Sequence, residues 1–247
     1  MSGLNTGLDT GLALVRAVHG ALNRTAVPRT PGPGLLPPRA AGDTHPLPAS
    51  GRLDVSLADA LTARRSRYAF GEEQPALADL AALLRLGVGT APRAGGLVSV
   101  LPHLVVRGAG ELPAGVHRAD LRLPLPSLVE VRHGDPTGYL AEALDQPPFA
   151  HRAPAWLALA IDVGGSLARY PPRHYRTLHL DAGTALQNVL LVATALGLAA
   201  CPVMGYDDGA WGRLLDLPDD VLVAGVVALG RARSPRAVAS ARSRSRK

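Results

Sequence analysis

The chain has 247 residues, of which 47% are apolar, so it can bury one good hydrophobic core but not several large domains. Its formal net charge of +6 arises at the C-terminal end, because residues 231–247 contain seven of the 26 basic residues and no acidic residue. The rest of the chain is near neutral, which argues against a protein that binds nucleic acid through its body. Lys247 is the only lysine, so no lysine in the body can act as a catalytic base.

The single cysteine, Cys201, excludes an internal disulfide and a cysteine-based metal cluster. It lies in a short apolar run, which favours a buried core residue over a reactive thiol. A chain without disulfides suits a reducing compartment, so we expect a cytoplasmic protein. No apolar run approaches the roughly 20 residues that a membrane span needs, and the N-terminal residues lack a basic leader, so we expect neither membrane contact nor a signal peptide.

The two ends of the chain differ in composition from its middle. Residues 4–22 place leucine and valine at helical spacing and predict a marginal helix, which several glycines weaken. Residues 28–48 contain seven prolines, which predicts an extended segment, either a tether or an arm that wraps a partner subunit. We therefore divide the chain into a helix and Pro-rich arm (1–50), a folded domain (51–233) and a basic tail (234–247). The tail is expected to be disordered, as a solvated terminus or an arm for an acidic partner.

The folded part begins with two predicted helices. Ser56 can cap the first, which ends in the basic residues 64–67, and the second covers residues 77–86. Residues 121–153 are predicted to be mostly loop, with one short helix at 139–144. We interpret this stretch as an insertion that shapes a pocket or covers a partner. The predicted strands before and after it are residues 100–106, 115–118 and 156–162.

Residues 178–196 form the one long segment with an unambiguous helical period, and their wide apolar face predicts a buried helix. Gly197 can adopt the left-handed turn that closes a helix, and an apolar extended run follows. Asp207 or Asp208 can then cap a short helix before a final apolar strand at residues 221–229. Because helices and strands do not alternate strictly, an α+β sandwich is a better prediction than a doubly wound sheet.

The sequence lacks the motifs of dinucleotide, nucleotide, zinc-protease and serine-hydrolase sites. Its eight histidines are scattered, with His174 and His179 five residues apart, so no metal site is expected. Two basic clusters remain, at residues 64–67 and at Arg231 and Arg233. One phosphate group bound by both would account for them. Backbone N–H groups of a glycine-rich loop and of a Pro-x-x-Gly turn would then complete a site for flavin mononucleotide (FMN).

Four landmarks in the chain occur together, in the same order, in a known family. Residues 64–66 read RRS, similar to the family's phosphate motif, and residues 92–97 read PRAGGL, similar to a loop that touches the flavin. Residues 181–207 hold a helix that runs into CPVMGYD, and residues 230–233 read GRAR, where the family places two basic residues on the phosphate. Over residues 46–233 the chain resembles the nitroreductase-like FMN flavoproteins. Within them it resembles the SagB-type dehydrogenases, which oxidise azolines to azoles on ribosomally made peptides.

The resemblance implies a fold and a cofactor. The fold is an α+β sandwich with a mixed, mainly antiparallel sheet, flanked by helices and built around a long central helix. The cofactor is FMN, bound at the interface of a homodimer by both subunits, with Met204 and Gly205 beside its reactive nitrogen. The cofactor-binding residues it implies are Arg64, Arg65, Ser66, Tyr68, Arg93, Ala94, Gly95, Pro202, Val203, Met204, Gly205, Arg231 and Arg233.

The resemblance also implies a catalytic pair. The Lys-Tyr acid and base of azoline dehydrogenases aligns with Arg169 and Tyr170. Tyr170 can transfer a proton, whereas Arg169 stays protonated and would stabilise negative charge. The implied activity is the oxidation of azolines, or of a related C–N bond, on a peptide or small molecule, alone or in a peptide-modifying complex.

Two other functions remain open. The first is a reductase of the same fold that uses a nicotinamide cofactor to reduce nitro, quinone or dehydroamino-acid substrates. The second is a non-catalytic partner that keeps the flavin fold as a scaffold. It is motivated by departures from the family pattern at Tyr68, Arg93 and Arg169, which stand where a basic residue, a serine and a lysine are usual.

Overall fold

A seven-stranded sheet forms the centre of the fold in the computed structural model, which describes residues 3–23, 43–107, 110–122 and 125–233. The order of the strands is β1-β4-β3-β2-β5-β7-β6, and every pair in the described chain is antiparallel, so the predicted mixed sheet contains no parallel pair there. The strands are β1 (Thr44–Pro46), β2 (Val100–Val106), β3 (Gly115–Asp120), β4 (Ser127–His133), β5 (Ala155–Asp162), β6 (Leu198–Val203) and β7 (Val221–Arg231).

Helices cover both faces of this sheet. Helix α3 continues directly into a π-helical segment, Leu83–Gly89, and two short 3₁₀ turns lie at Ala94–Gly96 and Pro147–His151. The α-helices are α1 (Gly3–Asn23), α2 (Leu57–Ala63), α3 (Leu77–Ala82), α4 (Thr137–Ala143), α5 (Val163–Leu167), α6 (His174–Ala195) and α7 (Asp208–Leu215). None of these helices is both long and apolar enough to cross a membrane.

Strand β5 shows why the fold is a sandwich. It is apolar almost throughout, and successive side chains of a strand point to opposite faces. Leu157 and Leu159 therefore join the core under α3, the π-helical segment and α6, whereas Trp156 and Ala158 join a second core under α4 and α7. The predicted α+β sandwich is confirmed.

The long central helix is α6, as predicted. Its buried face includes Leu178, Ala185 and Val189, none of which is exposed to solvent. The π-helical segment crosses it so closely that a Cβ at Gly87 would lie 2.6 Å from Cγ2 of Val189. Gly197, at φ 70°, ends the helix and turns the chain back into β6.

Most of the other predicted elements are confirmed. Ser56 caps α2 by accepting from the backbone N–H of Asp59 at 3.1 Å, and Asp207 caps α7 through Ala210 at 2.6 Å. Cys201 is buried, at 2% exposure.

The loop predicted for residues 121–153 is wrong in part, because residues 127–133 form β4. Only Leu128 and Val129 in β4 are buried, and prolines lie just before it, so its apolar pattern is too short to stand out.

The predicted arm and tail fall only partly within the described chain. Residues 44–46 at the end of the arm form β1, and Leu47 joins the core at 5% exposure. Residues 24–42 and 234–247 lie outside the described residues, so the division into arm, domain and tail stays a prediction.

His103 on β2 gives the fold a dependence on pH. It is 2% exposed, and burial lowers its pKa to about 4, although a hydrogen bond to the Leu101 carbonyl opposes this. Between that pKa and the unfolded value near 6.5, only the unfolded state binds the proton. The contribution of His103 is therefore complete above pH 6.5, and about 3 kcal/mol of it is lost as the pH falls to 4.

We expect His103→Gln to flatten the fall in unfolding free energy between pH 6.5 and 4, measured by urea unfolding. His151 is exposed, so His151→Gln should leave the slope of unfolding free energy against pH as it is in the unsubstituted protein. An equal slope in the His103 variant would contradict the assignment.

Candidate functional site

The first group of candidate residues is assembled by backbone pairing. Residues 64–71 leave α2 and cross the ends of β6 and β7. The Gly71 N–H donates to the Arg231 carbonyl at 2.8 Å, and the Arg233 N–H donates to the Ala69 carbonyl at 3.1 Å. The structure thus places the two basic clusters, which are far apart in sequence, at one end of the sheet.

The side chains of this group are only partly neutralised. Arg65 turns back on α2 and donates to the carbonyl of Thr62 at 2.7 Å and to that of Arg64 at 2.8 Å. Arg231 makes one long, exposed ion pair with Glu73, at 3.8 Å. Next to them is a cleft of about 390 Å³, whose lining includes Arg233 and two further arginines, Arg107 and Arg152. This excess of guanidinium groups, with Ser66 nearby, suits an anion such as a phosphate.

Tyr68 occupies the position that is basic in the family pattern. Its hydroxyl donates a hydrogen bond to the Cys201 thiol, which raises the pKa of Tyr68, and a hydrogen bond with Ser66 acts in the opposite direction. Burial raises the pKa of Cys201. Both groups are therefore neutral at pH 7, and Tyr68 adds a hydroxyl to the site but no charge.

Strand β6 is an edge strand of the described sheet, and its C-terminal end leads away from the basic clusters. The Arg67 N–H donates to the Ala200 carbonyl at 3.0 Å, and Met204 follows four residues later, about 13 Å along the strand. Met204 is 67% exposed, whereas Pro202 and Val203 before it are half-buried in the strand.

Gly205 follows Met204 and packs against a carboxylate that the sequence analysis did not single out. A Cβ at Gly205 would lie 2.7 Å from Oδ2 of Asp145, and the Asp145 N–H donates to the Gly205 carbonyl at 3.1 Å. A Cβ at this position would therefore force the exposed Asp145 side chain to move. No pattern in the sequence connects the two residues.

The second group is built around the glycine-rich loop and one buried acid. Asp181, at 7% exposure, accepts from the Ala94 N–H at 3.2 Å and from the Ser99 hydroxyl at 3.2 Å. Gly95 has φ 67°, and a Cβ there would lie 2.0 Å from the Tyr170 hydroxyl. The fold thus brings the predicted loop and the predicted proton carrier into contact.

Arg93 does not present its charge at the surface of this loop. Its Nη2 donates to the Val88 carbonyl at 3.1 Å. Burial lowers its pKa, and the charge of Asp181 partly restores it. Arg93 therefore holds the loop to the end of the π-helical segment.

Tyr170 lies at the entrance to α6. Its ring stacks on that of His174 at 4.3 Å, with 12° between the planes, and Arg169 precedes it, half-buried. The segment after β6 returns to the same end of the helix. Burial raises the pKa of Tyr206 to about 12, with smaller contributions from Asp208 and from Tyr175 in the first turn of α6.

The predicted site residues thus form two groups on different elements. The first group is Arg64, Arg65, Ser66, Tyr68, Pro202, Val203, Met204, Gly205, Arg231 and Arg233. The second is Arg93, Ala94, Gly95, Arg169 and Tyr170.

Sequence reasoning gave Asp181 no role. It is nevertheless the only acid in α6 and lies on the apolar face of that helix, where a charge needs a partner.

Known proteins share this fold and sequence. The Nitroreductase family profile matches residues 61–231. A Methanocaldococcus jannaschii protein named as a nitroreductase is 26% identical over 189 residues, which are 72% of this chain and 93% of that protein. A structure from Anabaena variabilis, also named as a nitroreductase, has a TM-score of 0.63 and 25% identity over 72% of this chain, which spans only 38% of that structure. Another, from Desulfovibrio desulfuricans and in complex with FMN, has a TM-score of 0.52 and 21% identity over 75% of this chain and 95% of its own.

The family profile spans well over half of the chain, so the chain belongs to the nitroreductase family. Members of this family are FMN-dependent oxidoreductases, and the chain is accordingly an oxidoreductase with FMN as its cofactor. The family alone defines neither the substrate nor the direction of the reaction.

We expect Asp181→Ala to lower the free energy of unfolding by about 2–4 kcal/mol, because it leaves the Ala94 N–H and the Ser99 hydroxyl without their shared acceptor. Hydrogen exchange at residues 94–97 should become faster at the same time. The control Ser99→Ala removes only one of the two hydrogen bonds and should cost about 1 kcal/mol. Equal effects of the two variants in urea unfolding would exclude Asp181 as the anchor of the loop.

Proposed function

We propose that this protein is an FMN-dependent dehydrogenase of the SagB type, which oxidises azolines or a related C–N bond on a peptide natural product. The observation that carries the proposal is the contact between Tyr170 and Gly95, since it puts a proton carrier on the loop that the resemblance assigns to the flavin. Bound FMN would supply the two-electron acceptor.

The phosphate of FMN would be held by the first group of residues. Arg64, Arg231 and Arg233 would supply guanidinium donors, Ser66 a hydroxyl, and Arg65 would order the end of α2. The distance of about 13 Å along β6 to Met204 and Gly205 suits a ligand that carries a phosphate at one end and a flat ring at the other.

Tyr170 and Arg169 would divide the remaining chemistry. Aromatisation of an azoline removes a hydride equivalent and a proton from the ring, and the Tyr170 oxygen would accept that proton as its own hydroxyl proton passes to solvent. Arg169 would stay charged and stabilise negative charge that develops on the substrate. The stacked His174, whose pKa is lowered by burial in spite of Asp181, would hold the tyrosine ring in place.

The comparisons favour a second candidate, a reductase that takes electrons from a nicotinamide cofactor, because the Methanocaldococcus relative is named as a nitroreductase. The two candidates differ in the electron donor. Rapid anaerobic bleaching of bound FMN by NADH or NADPH supports the reductase. Bleaching by an azoline-containing peptide, lost in Tyr170→Phe, supports the dehydrogenase.

A homodimer is part of this proposal. Leu57 and Leu61 on α2 are 67% and 52% exposed, and Leu180 on the neighbouring helix α6 is 72% exposed. A second copy of the chain would cover this apolar surface and bring its own glycine-rich loop to the first group of residues. Helix α1, which touches α6 through His19 and Arg176, adds further exposed apolar side chains.

We also infer that residues 51–233 make up the folded domain, to which β1 and Leu47 at the end of the arm add, and that the protein works in the cytoplasm. The arm and the basic tail would then serve contacts with the partner subunit or with a peptide-modifying complex. The single Cys201, which is buried, fits a reducing compartment.

The phosphate site is tested by flavin titration. The protein should bind about one FMN per chain, and Arg64→Ala combined with Arg231→Ala should weaken binding about 100-fold, because two charge-assisted hydrogen bonds are lost. Riboflavin, which lacks the phosphate, should bind the protein and the double variant equally. Arg213→Ala, on α7, is the matched control. Unchanged FMN binding by the double variant would contradict the site, and no flavin absorbance at all would favour the scaffold function.

The dimer is tested separately with Leu180→Arg. We expect this variant to sediment as a monomer and to bind FMN at least about tenfold more weakly, because burial of a charge at an interface is costly. Leu125→Arg changes an equally exposed leucine, at 77%, and should leave the dimer intact. A Leu180 variant that remains dimeric, or a native monomer with full FMN occupancy, would exclude this interface.

A further inference from the structure

Three side chains capable of binding metal meet at the edge of the sheet that is opposite to β6. His45 lies on β1, His117 on β3 and Glu130 on β4, and β4 is the strand between the other two. His117 is directly opposite Glu130 in the ladder, and His45 is opposite Leu128, two residues before Glu130. Because side chains two residues apart share a face, all three project from the same face of the sheet.

The spacing of these side chains suits one ion. Their potential ligand atoms all lie within 4.8 Å of one another, and the two imidazole rings are 5.7 Å apart in an edge-to-face arrangement. Ligands at about 2.1 Å from a tetrahedral zinc ion are about 3.4 Å apart, so small side-chain rotations would close the set.

The hydrogen bonding of His117 leaves one ring nitrogen available to a ligand. This residue is completely buried, and its Nε2 donates to the Pro113 carbonyl at 2.9 Å. That bond leaves the lone pair on Nδ1, which is buried and has no hydrogen-bond partner among the described residues. A metal-binding histidine commonly has this arrangement, with one ring nitrogen on a backbone carbonyl and the other on the ion.

The other two members also lack a donor within the cluster. Nε2 of His45 is buried without a hydrogen-bond partner in the described part of the chain. In the described part of the chain the Glu130 carboxylate has one ion-pair partner, the exposed His133 at 3.4 Å. A cation would satisfy two imidazole nitrogens and a carboxylate simultaneously, whereas no described side chain does so.

We propose that His45, His117 and Glu130 bind one divalent transition-metal ion, of which zinc is the type, and that this ion fastens β1 to the sheet. Two imidazoles and a carboxylate are a ligand set typical of such ions. Strand β1 has only three residues and, among the described strands, pairs with β4 alone, so an additional attachment there would fix the point at which the arm enters the fold. This proposal is independent of the flavin chemistry.

The test uses the full chain without an affinity tag, stripped by a chelator and titrated with Zn²⁺ by calorimetry. We expect one ion per chain, and Co²⁺ should give the visible bands of a four-coordinate site. Removal of an outer-shell residue costs 10–100-fold in metal affinity, so His45→Ala and Glu130→Gln, which each change a direct ligand, should weaken binding at least about 100-fold. His19→Ala, which removes a histidine on α1, should bind as the unsubstituted protein does.

Thermal unfolding gives a second readout that does not involve activity. Zn²⁺ at 100 times its Kd should raise Tm by about 5 °C or more in the unsubstituted protein and in His19→Ala, but not in Glu130→Gln. Circular dichroism of the apo forms identifies any variant that has failed to fold. Glu130 is half-buried and glutamine is nearly isosteric with it, so we expect Glu130→Gln to retain the fold. Absence of binding, or equal binding by all folded variants, would overturn the proposal.

Discussion

The packing of α6 against the sheet and the π-helical segment is the interaction on which the rest of the candidate site depends. The helix buries its apolar face completely, and at Gly87 the two helical segments approach so closely that a side chain there would overlap Val189. A helix held in this way fixes the position of both of its ends. Its N-terminal half carries Asp181, with Tyr170 just before the first turn, and its C-terminal end turns at Gly197 into the strand that leads to Met204.

The basic cluster at the other end of the sheet suits an anion. Residues 64–71 pair with the end of β7 and so bring Arg231 and Arg233 next to the basic residues 64–67, and among the described residues Arg231 has one weak, exposed ion pair, to Glu73. Like charges held together are unfavourable unless an anion or solvent screens them. The glycine-rich loop is built on a different part of α6. The proposed homodimer would allow both groups to serve one cofactor.

Two buried polar clusters of the fold differ in whether their polar atoms have hydrogen-bond partners. Asp181 has donors for its carboxylate, and the result is a loop held in one conformation. His45 and His117 each have a buried ring nitrogen with no hydrogen-bond partner among the described residues, at the edge where a three-residue strand joins the sheet. Buried polar groups are nearly always satisfied in native proteins, and this is the basis of the metal site that we propose for the second cluster.

The sequence by itself determined the elements whose signal is local. The apolar period of α6, the caps at Ser56 and Asp207 and the turn at Gly197 all depend on neighbouring residues, so each was predicted and confirmed. The ordered landmarks also indicated the family, because each is a short run of residues. Tertiary structure alone decided what depends on contacts between distant segments: strand β4, the role of Asp181, the contact of Asp145 with Gly205, and the meeting of His45 with His117. The histidines have no periodic spacing in the sequence that would predict their meeting. Only the pairing of three strands places His45 and His117 on one face of the sheet.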